Sequence, residues 1–97
     1  MSRYERRYQG GEIIFKEGEI SDCAYVLVSG QIELVKSKGT KGVRLAVLTP
    51  GEMFGEMGLV DSSARSATAR AVGDVIVDVV EKDEFLKAVR KTPDVAL

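Results

Sequence analysis

The feature that most constrains this chain is its punctuation: between Gly11 and Val80, short β-rich runs are each closed by a glycine or a polar turn. Runs of that length at that spacing are the mark of an all-β sandwich or barrel. Glu12 to Lys16 stops at Glu17-Gly18-Glu19, and Ala24 to Ser29 stops at Gly30. Gln31 to Lys36 alternates, with Ile32 and Leu34 on one face and Glu33 and Val35 on the other, as a half-buried strand does. Ser37 to Gly42 reads as a hairpin loop. Val43 to Leu48 sets Val43, Leu45 and Val47 on one face before Thr49-Pro50-Gly51 turns the chain. Ser66 to Val72 and Asp74 to Val80 are the last strands, joined at Gly73, and Arg70 within Ala-Arg-Ala is expected to point to solvent.

After Glu81 the apolar period lengthens from two to about 3.6 residues. Phe85, Leu86 and Val89 then share one helical stripe, with Asp83 as the expected N-cap. Thr92-Pro93 is expected to end this helix, because the residue before proline is pushed out of the α region. Asp94 to Leu97 reads as the first turn of another helix.

Ninety-seven residues fit one domain with one core, so residues 1–97 are expected to be a single unit. Fourteen basic residues against fifteen acidic ones leave a net charge of −1, without the basic excess that duplex binding needs. Direct nucleic-acid binding is therefore not expected, and Arg3, Arg6 and Arg7 read as a solvated terminal segment. The single cysteine, Cys23, cannot close an intrachain disulfide, and no basic residue flanks it to favour a thiolate. The chain opens on polar residues, and no apolar run approaches the roughly eighteen residues that cross a bilayer. A cytoplasmic location without membrane contact is the expectation.

Histidine is absent, which removes the usual proton shuttle, every Ser/His or Cys/His nucleophile pair and all His-dependent metal sites. No cluster of carboxylates replaces it, so nothing is placed to activate a water. No enzyme activity, catalytic residue, metal or cofactor is expected.

Chemistry concentrates between Phe54 and Ala71. Phe54-Gly55-Glu56-Met57-Gly58-Leu59-Val60 is too short and glycine-rich for a strand and reads as a tight turn entering one helical turn. Free backbone N–H groups at such a place favour an anion. In Ala64-Arg65-Ser66-Ala67-Thr68, small neighbours leave space beside a guanidinium whose planar fork matches two phosphate oxygens. Singly, an arginine on a strand is most often an exposed base, and a glutamate in a turn a solvated acid. Their conjunction at this spacing points to a phosphate site.

With these residues in view, the chain resembles a cyclic nucleotide-binding domain of the type in bacterial catabolite activators, cyclic nucleotide-dependent kinases and gated channels. The resemblance rests on Gly11-Glu12-Ile13-Ile14-Phe15-Lys16-Glu17-Gly18, on Tyr25-Val26-Leu27-Val28-Ser29-Gly30 and above all on the cassette from Phe54 to Ala71. It implies a mainly β fold, an eight-stranded jelly-roll barrel with a short helical turn in the cassette and a C-terminal helix. It implies that Glu56 accepts from the ribose 2′-hydroxyl and Arg65 pairs with the cyclic phosphate. Backbone groups near Phe54, Gly55, Met57, Gly58 and Ala67 would assist, and Leu45 and Val47, with Met53 nearby, would form the wall against the purine. Ser66, after the arginine, favours cAMP through its bacterial likeness, while its hydroxyl leaves cGMP open.

Two departures from the family pattern stand out. Ala64 replaces the proline that commonly precedes the arginine, and the chain stops at Leu97, before the long helix that usually caps the base. The implied function is a sensor that binds a cyclic nucleotide and gates an attached or partner effector. The alternative is a structural or interaction module that kept the fold and lost the ligand.

Overall fold

The computed structural model describes residues 3–91. In chain order the elements are β1 (Arg3–Tyr8), β2 (Ile13–Phe15), β3 (Cys23–Lys38), β4 (Lys41–Leu48), β5 (Met53–Phe54), α1 (Met57–Asp61), β6 (Thr68–Glu81) and α2 (Lys82–Lys91). The strands form one antiparallel sheet along the path β1-β6-β3-β4, with β2 added to β6 and β5 added to β3. Its spine is the long pairing of β3 with β6, from Cys23 opposite Glu81 to Val35 opposite Thr68.

The expected mainly β architecture is present, but the eight strands implied by the resemblance appear as six among the described residues. β3 carries two of the expected runs through Gly30, and β6 carries two through Gly73, because hydrogen bonding continues across both bends. The β3–β6 register slips on either side of Ser29, and such a slip increases local bending and twist. A Cβ at Gly30 would lie 2.3 Å from the Asp74 carbonyl oxygen, so the two ribbons approach there more closely than any side chain allows.

Three boundaries differ from the sequence reading. Arg3–Tyr8 is a strand rather than a loose terminal segment, paired with Val75–Val80 of β6. Its basic residues hid it, since Arg6 and Arg7 remain exposed while Tyr8 packs on the core. The β3–β4 hairpin closes at Lys38 opposite Lys41, so its turn is only Gly39-Thr40. α2 starts one residue before the expected cap, which places Asp83 and Glu84 in its first turn, where carboxylates suit the helix dipole. The expected stop at Thr92-Pro93 and the turn at 94–97 lie outside the described residues.

The main core lies inside the curled sheet. Phe15, Tyr25 and Phe54 stack, with ring centroids 5.2 to 6.1 Å apart, beside Leu27, Ile32, Ala69, Val75, Val77 and Val79. Burial in this cluster pushes the Tyr25 phenol pKa upward. A second cluster of Ala24, Leu59 and Val80, with Val26 and Phe85 against it, ties α1 to α2 through the sheet.

On the outer face Glu33 is buried between two arginines. Arg70 donates to it from Nε at 2.7 Å and Arg44 from Nη2 at 2.9 Å. Hydrogen bonds from Arg70 and then Arg44 hold the Glu33 carboxyl below its ordinary pKa. Arg70 does point outward, as expected, but into an ion pair rather than into free solvent.

Candidate functional site

The chain from Phe54 to Ala67 folds over the aromatic end of the core and encloses an open cavity of about 250 Å³. Its floor is Phe15 and Phe54, its far wall Leu34, Leu48 and Met53, and its near side Gly55 to Gly58, Asp61 and Ser63 to Ala67. Phe54, Gly55, Glu56, Met57, Gly58, Arg65, Ser66 and Ala67, all singled out in the sequence, thus meet around one space.

Arg65 is the centre of the arrangement. It is only 5% exposed, a burial that arginine tolerates only with partners. Nη1 donates to the Gly55 carbonyl at 2.6 Å, Nη2 donates to the Cys23 carbonyl at 2.9 Å, and the exposed Asp22 carboxylate lies 3.7 Å away. The guanidinium lies over the Phe15 ring at 4.3 Å, a favourable cation–π distance. Its Nε is buried and has no hydrogen-bond partner among the described residues. One donor of a cation that lines the cavity is therefore unspent.

The backbone around Arg65 is fixed from the turn after β2. The Gly18 amide donates to the Arg65 carbonyl at 2.8 Å, and the Arg65 amide donates to the Glu19 carbonyl at 2.8 Å. Lys16 N–H donates to the Glu19 carboxylate at 2.7 Å and closes that turn. The distant Phe15 to Glu19 segment thus supplies both the ring under the guanidinium and the clamp on its backbone.

Glu56 occupies the N-cap position of α1 with no side-chain cap bond, which leaves its carboxylate free to face the cavity it lines. Gly58 follows in the first turn. A Cβ there would fall 2.2 Å from Ser21 Oγ and 2.5 Å from the Ser63 carbonyl oxygen, so α1 presses on the β2–β3 connection without space between. Ser21 Oγ is itself buried without a partner among the described residues.

The expected purine wall needs correction. Leu45 and Val47 do not line the cavity; they are 55% and 39% exposed on the outer face. Register decides this: Leu48 pairs with Ile32 and Ala46 with Leu34, so Ala46 and Leu48 face inward. A register shift between Leu34 and Val35 accommodates one extra residue in β4. From Leu45 to Leu48 both alternating positions of β4 are apolar, so pattern alone did not distinguish them. Leu34 and Leu48 line the cavity instead, and the signal for Leu34 was its shared face with the buried Ile32. Cys23 also gains a neighbour invisible in sequence, with Arg65 Nη2 3.8 Å from Sγ. Burial still outweighs that cation and pushes the thiol pKa up.

Comparison with known proteins places the chain in a family. The sequence matches the cyclic nucleotide-binding domain family over residues 5–92. The chain belongs to that family. Among curated proteins, the cyclic nucleotide-binding domain here is similar to the cyclic AMP receptor protein of Thermus thermophilus, 38% identical over 99% of this chain and 45% of that protein. Among solved structures it superposes on the EAL enzyme Bd1971 in its cGMP-bound and cAMP-bound forms, with TM-scores of 0.88 and 0.87. Both comparisons are 36% identical and cover 92% of this chain and 24% of the enzyme.

The chain therefore spans less than half the length of these relatives. As a cyclic nucleotide-binding domain it has the jelly-roll β fold of its neighbours, and its family is a regulatory one. No helix among the described residues is long and apolar enough to cross a membrane.

Proposed function

We propose that this domain is a cyclic nucleotide sensor whose ligand is cAMP, seated in the cavity between Arg65, Glu56 and the Leu34–Leu48 wall. The observation that carries the proposal is the buried Arg65, which lines an open cavity and whose Nε has no hydrogen-bond partner among the described residues. A phosphate oxygen supplies the missing acceptor, and guanidinium to phosphate is the strong, planar form of such a bond. Glu56, acceptor-only when ionised, takes the ribose 2′-hydroxyl. Amides near Gly55, Met57 and Ala67 complete the phosphate cradle.

Arg65 is held by backbone carbonyls of Gly55 and Cys23. A bound phosphate competes for those donors, and any movement of the guanidinium loosens the turn at Gly55 that leads into α1. Leu59 of α1 shares a cluster with Phe85 of α2, so a shift of α1 must be repacked at the C-terminal helix. That is the route by which occupancy gates an attached or partner effector. Ser66 and the likeness to a cyclic AMP receptor protein support cAMP.

Thermal unfolding with and without cAMP tests the reading. A ligand that binds only the folded state raises the midpoint as its concentration rises. An unchanged midpoint at millimolar cAMP and cGMP would instead favour a module that kept the fold and lost the ligand.

A further inference from the structure

Lys36 lies on the same face of β3 as the wall residue Leu34, one pleat further along, since strand side chains alternate. Its Nζ donates to the carbonyl of Ser66 at 3.1 Å. Ser66 lines the cavity beside Arg65. The ammonium is thus tethered at the cavity's margin, beyond the apolar wall and next to the residue after the phosphate-facing arginine. One bond to Ser66 leaves two of its three N–H donors uncommitted.

We infer that Lys36 reads the base: it donates to the purine edge and narrows the preference for cAMP over cGMP, so that the site also admits guanine. The inference rests on the reading of this cavity as a cyclic nucleotide site. On that reading the phosphate sits at Arg65 and the base along Leu34 and Leu48, and Lys36, tied to Ser66 at the cavity margin, is a cation within reach of the purine edge. Guanine offers two adjacent acceptors there, O6 and N7, whereas adenine offers N7 beside the N6 amino donor. An ammonium has donors only, so it suits the first pair and meets a like donor in the second. The tether to Ser66 limits the freedom that an exposed lysine would otherwise lose on binding. Lys36 and Ser66 therefore act as one device: the carbonyl of Ser66 positions the cation, and the cation tests the base.

The test is a matched titration of cAMP, cGMP and cIMP into the wild-type domain, Lys36→Met and Lys36→Arg. Met keeps the length of the apolar stem without the charge. cIMP keeps O6 and N7 but lacks the 2-amino group, so it separates Lys36 from any contact that Ser66 makes. Lys36→Met is expected to weaken cGMP and cIMP by about fivefold or more, the low end of what a base-edge contact discriminates. cAMP should change by less than about twofold, and Lys36→Arg should keep the wild-type ratio. Equal changes for all three nucleotides in Lys36→Met, or none, would overturn the role in base reading. If the wild-type domain bound no nucleotide, the underlying site assignment would fall with it. Lys36 is exposed, so unchanged melting of the unliganded variant shows that the fold is intact.

Discussion

Arg65 and Gly55 are locked to each other: Nη1 donates to the Gly55 carbonyl at 2.6 Å, and a Cβ on Gly55 would sit 2.8 Å from that nitrogen. The glycine holds φ at +75°, where side chains are strained. Gly55→Ala is therefore expected to cost at least about 1 kcal/mol in denaturant unfolding. It should also weaken nucleotide binding beyond that loss, because the displaced group is the guanidinium. A variant that melts normally and binds normally contradicts this coupling.

The contact of Ser21 with Gly58 makes a second, separable prediction. Ser21 Oγ is buried without a partner among the described residues, so Ser21→Ala should be neutral or stabilising, by up to about 1 kcal/mol. Gly58→Ala should destabilise, since the new Cβ meets both Ser21 Oγ and the Ser63 carbonyl. Combining the two should recover only part of the loss, because the Ser63 backbone remains. Full recovery in a double-mutant cycle by chemical denaturation would show that Ser21 alone sets the limit.

Leu48 and Leu45 differ by three positions in β4 and face opposite ways. Leu48→Ala, at the cavity wall, should weaken nucleotide binding severalfold, whereas Leu45→Ala on the outer face should leave it unchanged. Titration calorimetry on the pair decides between the two walls, and the reverse order would restore Leu45 as the base contact.

Glu33 gives the domain a defined acid response. Its pKa is depressed in the folded state by Arg70 and Arg44, so its contribution to stability is present above the unfolded value of about 4.3. That contribution is lost as pH falls through the folded value. Glu33→Gln should melt lower than wild type at neutral pH, with the gap closing as the pH drops below about 4.3. A gap independent of pH would mean that the carboxylate charge is not what the two arginines hold.

Much of this site was legible before the structure. Singly Gly55, Glu56 and Arg65 are ordinary, and they stood out only by their conjunction in one short glycine-rich segment. The helix through Phe85 was legible from its change of period. The wall was not, because β4 is apolar at both alternating positions from Leu45 to Leu48 and only pairing with Ile32 and Leu34 decides which set is inside. β1 was hidden because its stability comes from hydrogen bonds to β6 and one half-buried tyrosine, neither of which leaves a pattern in an Arg-rich run. The clamp of Gly18 and Glu19 on Arg65 joins segments more than forty residues apart and could be found only in three dimensions.

Calorimetric titration of cAMP into the wild-type domain and into Arg65→Ala and Arg65→Lys reads the role of the buried guanidinium directly. Removing the partner of a buried charge costs on the order of 3–5 kcal/mol, so Arg65→Ala should lose at least about a hundredfold in affinity. Arg65→Lys keeps the charge without the fork and should remain folded while binding far more weakly than wild type. Saturable wild-type binding with that loss supports Arg65 as the phosphate anchor. Affinity unchanged in a folded Arg65 variant would contradict it.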